Sequence, residues 1–147
     1  MERPKYKIIS IRKLKRVLNA IFKDLKEIKL AYLYGSYALG YQTEFSDIDI
    51  GILLNEKFRP NYLYTIELSL KIEKIFDYRI NVDLRILNDA TPRFLFEVIK
   101  NGMIIFMRDK DFFHEFEIKV LSEYQDIRPM LKFYDRKTIS EVLGNEN

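Results

Sequence analysis

Asp47 and Asp49, one isoleucine apart, head the run Asp47-Ile48-Asp49-Ile50-Gly51-Ile52-Leu53-Leu54. In an extended strand alternate side chains share a face, so both carboxylates stand with Gly51 and Leu53, and Ile48, Ile50, Ile52 and Leu54 stand opposite. Two neighbouring carboxylates repel each other and resist desolvation unless a positive group neutralises them. A hard divalent cation does this simply, and Mg²⁺ is often held by one or two carboxylates together with substrate phosphates. Upstream, the apolar run Leu30 to Tyr34 meets Gly35-Ser36. Gly35 lets the backbone turn and approach a ligand closely, and Ser36 offers a hydroxyl and an N–H. A turn that runs into a helix also presents unpaired amides to an anion. No Gly-Lys-Ser/Thr and no Gly-x-Gly-x-x-Gly accompanies it, so the stretch reads as a triphosphate site of a separate class.

These residues need a scaffold. Ser10 is a credible N-cap for a helix over 11–28, with Ile11, Leu14, Leu18, Ile21, Phe22, Leu25 and Ile28 at helical spacing. A strand from about Lys29 leads into the Gly-Ser turn, Tyr37 to Tyr41 forms a short helix or turn, and the Asp-x-Asp strand follows. Pro60 marks a boundary before a helix over 62–76, with Leu63, Ile66, Leu70 and Phe76 expected to face the core. A strand over 80–87 places Asn81, Asp83 and Arg85 on one face. Thr91-Pro92 opens a helix to about Lys100, Met103 to Met107 suits a buried strand, and 112–124 reads as the last substantial helix before Pro129. Within that helix Phe113, Phe116, Val120 and Tyr124 form one buried set, and His114 reads as a packing or surface residue. The expected class is α/β (α+β): a mixed β-sheet with helices on one face and the acids on an open opposite face. A single domain over 1–147 is expected, with its core at about 11–107 and a C-terminal helical extension at about 108–135.

Composition narrows the class further. The 147 residues are 48% hydrophobic, enough for one domain with a real core. With no cysteine, disulfides and thiolate metal sites are absent, and no run approaches the roughly 18 apolar residues of a membrane span. A soluble cytoplasmic protein with no membrane contact is the expectation. The net charge of +3 is modest, but Arg3, Lys5, Lys7, Arg12, Lys13, Lys15 and Arg16 concentrate basic character near the N-terminus. That surface is either a solvated helix face or a contact for RNA or an acidic partner.

Gly35-Ser36, then Asp47-x-Asp49, with Asp83 on a later strand, resembles the minimal nucleotidyltransferases of the DNA-polymerase-β-like superfamily. The likeness is strongest to the MntA-like antitoxins that pair with HEPN ribonuclease toxins. It covers about Leu30 to Ile86 and the pattern from Arg93-Phe94-Leu95 through Gly102 to Tyr124; Leu39 departs from it where many relatives carry arginine. The resemblance implies a nucleotidyltransferase palm fold and an enzyme that transfers AMP from ATP to a hydroxyl. The implied acceptor is a tyrosine of a cognate HEPN toxin, which the modification neutralises within a hetero-oligomer. Asp47, Asp49 and Asp83 are then the catalytic and metal-binding residues, holding Mg²⁺ as two ions. Gly35 and Ser36 hold the phosphates, Tyr37 beside the turn and Arg85 beside Asp83 are further nucleotide contacts, and Asp83 is a candidate base. Transfer to an RNA 3′ end, transfer to a small molecule and a non-catalytic toxin-binding module stay open on sequence alone.

Overall fold

The computed structural model describes residues 8–144, so Arg3, Lys5 and Lys7 and the last three residues lie outside the described part. The order is α1 (Ile11–Lys23), β1 (Ile28–Tyr34), α2 (Ser36–Leu39), β2 (Ile48–Leu54), α3 (Tyr64–Ile75), β3 (Val82–Ile86), α4 (Pro92–Asn101), β4 (Met103–Met107) and α5 (Lys110–Gly144). Two helix starts are written in the sequence: Ser10 Oγ accepts from the Lys13 N–H at 3.2 Å, and Thr91 Oγ1 accepts from the Phe94 N–H at 3.2 Å. Four strands form one mixed sheet in the order β3-β2-β1-β4. β1 is antiparallel to β2 and to β4, whereas β2 and β3 are parallel and joined by the α3 crossover.

The sheet is mixed, as expected, but its helices lie on both faces rather than one. One face carries Ala31, Leu33, Ile48, Ile50, Ile52 and Leu54 against Leu14, Leu18 and Phe22 of α1 and Leu68 and Ile72 of α3. The other carries Leu30, Tyr32 and Leu53 against Leu95 and Val98 of α4 and Val120 of α5. The physical reason is that β1 carries Leu30 and Tyr32 on the parity opposite Ala31 and Leu33, and Leu53 of β2 joins them, so each face of the sheet centre demands cover. The open ground is therefore confined to one end of the second face, where Asp49 stands near the start of β2.

Three other expectations are corrected. α1 stops at Lys23 instead of 28 because Arg108 arrives from the end of β4. Its guanidinium donates to the carbonyls of Phe22, Leu25 and Ile28 at 2.9, 3.1 and 2.8 Å, pinning the turn that leads from α1 into β1. On α3 the buried residues are Leu68 and Ile72, with Phe76 just beyond, while Leu63, Ile66 and Leu70 are exposed. That helix has two apolar stripes, and the one carrying Leu68 and Ile72 docks. α5 runs through Pro129 instead of ending before it. The carbonyl deprived of its N–H partner belongs to exposed Gln125, where water can serve instead. Before that point α5 packs as expected: Val120 is buried, Phe113 and Phe116 are partly buried, and the Tyr124 ring stacks on Phe96 at 3.9 Å. Among the described residues no helix is long and apolar enough to cross a membrane.

Candidate active site

The register of three adjacent strands assembles the site. Tyr34 at the end of β1 lies opposite Asp49 of β2, and Asp49 lies opposite Asp83 of β3. Residues paired in this way project from the same face, so Tyr34, Asp49 and Asp83 form a row across the sheet. Arg85, two residues along β3, shares that face and donates to Asp83 Oδ2 at 3.3 Å. Asp47 precedes β2 and is exposed, whereas Asp49 and Asp83 are half-buried.

The Gly-Ser turn meets this row directly. Gly35 has φ 71° and ψ −153°, a conformation that side chains other than hydrogen tolerate poorly. A Cβ on Gly35 would overlap Oδ2 of Asp49, so glycine is required for space as well as for torsion. Ser36 opens α2, whose first-turn amides have no helical acceptors. Gly40 closes α2 with φ 79°.

Tyr37 does not belong to the site. Its side chain is 1% exposed in the core beneath α1, and its hydroxyl accepts from the Ile9 N–H at 3.4 Å. On a single helical turn, Tyr37 points inward while Ser36 faces the other way. Tyr41, the other tyrosine beside the turn, is fully in solvent reach. Two residues that sequence reasoning passed over do belong. The Phe94 ring meets Tyr34 edge-on at 5.6 Å and lies under the Arg85 guanidinium at 5.8 Å, forming an aromatic wall beside the acids. Tyr34 was legible only as the last apolar residue before Gly35; its alternation with Leu30 and Tyr32 could have placed it on the acid face.

Electrostatically the acids outnumber the cations: Arg85 alone faces Asp47, Asp49 and Asp83 among the residues placed in the site. Burial, then the negative charges of Asp83 and Asp47, push the Asp49 carboxyl up to about 6, against a smaller opposing effect of Arg85. Burial pushes the Tyr34 phenol up to about 12, so it keeps its proton at neutral pH. Among the described residues no three Asp, Glu, His or Cys side chains converge into a ready cage for a metal ion. Mg²⁺ at a nucleotide site needs only one or two carboxylates, the remaining ligands coming from water and phosphate. The Asp49–Asp83 pair, hard in its oxygens and mutually repelling, fits that requirement.

A testable consequence concerns stability. Asp49 binds its proton more tightly in the folded chain, at about 6 against an ordinary value of 3.8. Its contribution is therefore fully present below about pH 4 and is lost as pH rises through about 6. Without divalent cations, Asp49→Asn is expected to be more stable than the parent protein at pH 7 to 8, with the difference closing towards pH 4. Urea denaturation across that range measures it; an equal pH dependence in both proteins would refute the raised proton affinity that burial and, second to it, the neighbouring acids give Asp49.

A Gly-Ser turn packed against carboxylates on adjacent strands of a small mixed sheet defines a nucleotidyltransferase palm. The sequence pattern of the family described as polymerase beta, nucleotidyltransferase, matches residues 16–111, and the chain belongs to that family. The protein adenylyltransferase MntA of Shewanella oneidensis is 27% identical over 113 residues, covering 77% of this chain and 78% of its own. A Methanocaldococcus jannaschii relative is 38% identical over 72 residues, 49% of this chain and 72% of its own. Among solved structures, a chain of a toxin-antitoxin crystal structure with AMP-PNP superposes with a TM-score of 0.71 and 25% identity, over 88% of this chain and 99% of that one.

Proposed function

We propose that the protein transfers AMP from ATP to a hydroxyl, that the hydroxyl belongs to a tyrosine of a HEPN ribonuclease toxin, and that the modification silences the toxin in the cytoplasm. The observation that carries the reading is the in-register Asp49–Asp83 pair set against the Gly35 turn. The relatives give the acceptor its direction, since one is named a protein adenylyltransferase and another is a toxin-antitoxin complex holding an ATP analogue.

Asp47, Asp49 and Asp83 would hold Mg²⁺, which supplies charge neutralisation at the phosphates and lowers the pKa of the attacking hydroxyl. The residues of the chain do the rest. Gly35 lets the backbone approach the phosphates, and Ser36 with the first amides of α2 binds the β- and γ-phosphates. Arg85, exposed on one side, steadies Asp83 and faces the same ground. The acceptor oxygen attacks the α-phosphorus, the bond to the β-phosphate bridging oxygen breaks, pyrophosphate leaves, and the hydroxyl proton passes to Asp83. An AMP group on the toxin adds negative charge and bulk where RNA must enter.

The test is to incubate the protein with Mg²⁺, ATP and a HEPN protein encoded beside it, then to weigh both intact chains. One or more AMP-sized increments on a partner tyrosine are expected. An unmodified partner together with an RNA lengthened at its 3′ end would replace the protein acceptor with RNA. Inhibition of the toxin with neither product would indicate a covering module.

A further inference from the structure

The Tyr34 hydroxyl is buried and makes no hydrogen bond, a condition shared among the described residues only with Oε1 of Gln42. A buried polar group without a partner is destabilising, because it has given up water and gained nothing in return. Nothing in the packing asks for it: the ring alone makes the edge-on contact with Phe94 and the fit against the α4 side of the sheet, and phenylalanine would do both. Tyr34 instead shares its face with the working groups of the site, with Asp49 in register on the adjacent strand, Asp83 beyond it and Arg85 above Phe94, and the charges of all three act on its phenol. A phenol both donates and accepts: Arg85, a pure donor, can serve only the oxygen, so for the Tyr34 O–H the acceptors on this face are the two acids.

We propose that Tyr34 is a positioning residue: once nucleotide and cation occupy the site, its hydroxyl donates to the Asp49 carboxylate and fixes that side chain in its working orientation. The inference rests on the nucleotidyl-transfer reading above. β1 is bonded on both sides and Phe94 braces the ring, so the donor is held by rigid elements while the half-buried Asp49 side chain adjusts to it. A rigid neutral donor next to a metal-binding carboxylate is the kind of outer partner that orients ligands at metal sites.

Tyr34→Phe in the full chain separates this role from a structural one. Without ligand, its urea midpoint is expected to equal or exceed that of the parent, because an unpartnered hydroxyl has been removed. Calorimetry with Mg²⁺ and AMP-PNP is expected to show roughly tenfold weaker binding, the scale of one lost hydrogen bond to a charged group. AMP transfer at saturating ATP should fall by about the same factor. Equal binding and transfer by the two proteins would overturn the inference, and so would a lowered urea midpoint accounting for the loss. If the parent protein itself fails to bind Mg²⁺ and AMP-PNP, the nucleotidyl-transfer reading fails first and the inference goes with it.

Discussion

Replacing Asp47 and Asp49 together by alanine is expected to lower AMP transfer by roughly 10³-fold or more while leaving the fold intact. Metal neutralisation of phosphate charge contributes several kcal/mol to such a transition state, and about 4 kcal/mol corresponds to three decades of rate. The two acids contribute little to the core: Asp47 is exposed, and Asp49 stands at the uncovered end of β2. Removing a half-buried carboxylate that is short of solvent and repelled by its neighbours should even raise stability at neutral pH. The diagnostic result is thus opposite in sign for the two measurements, with transfer lost and the urea midpoint unchanged or higher. A variant that retains transfer within tenfold of the parent would remove these residues from the chemistry.

Gly35→Ala should cause the second large loss, through geometry instead of charge. Its torsions lie where alanine pays about 1–3 kcal/mol, and the new methyl would occupy the place of the Asp49 carboxylate. Both the turn and the acid must shift, so transfer is expected to fall by at least about 10²-fold, in line with the sensitivity of reacting groups to displacements near 1 Å. Gly40→Ala is the control. Its φ of 79° is equally positive, but nothing lies within 4 Å of the added methyl. It should lose about 1 kcal/mol of stability and keep most of its transfer activity. Comparable inactivation of both variants would mean that turn strain alone, not the collision with Asp49, explains the first.

The sequence disclosed those parts of the fold that depend on local chemistry. Ser10 and Thr91 cap helices where their side chains suggested, Met103–Met107 is a strand, and Asp49 and Asp83 share a face because strand parity requires it. What escaped it depends on contacts between distant residues. Arg108 ends α1 from more than 80 positions away in the chain. Of the two apolar stripes of α3, only docking decides which is buried. The second helical face of the sheet follows from Leu30, Tyr32 and Leu53, which share the parity of the acids yet need apolar cover of their own. At the site, Tyr37 misled because proximity in sequence to a turn says nothing about which way a residue on a four-residue helix points. Tyr34 was hidden by the reverse problem, a polar atom carried on a residue that otherwise behaves as core.

The place of β3 in the sheet also bears on how long the site stays assembled. Asp83 rides on an outermost strand, bonded through its backbone to β2 alone among the described strands, whereas Tyr34 and Asp49 ride on the two central ones. Edge strands generally open by local fluctuations that cost less than global unfolding, which amide hydrogen exchange detects as lower protection. Opening of β3 would draw one acid out of the row and leave the other two members in place. The lifetime of the complete carboxylate set is then governed by the fraying of a five-residue strand and not by the overall stability of the protein.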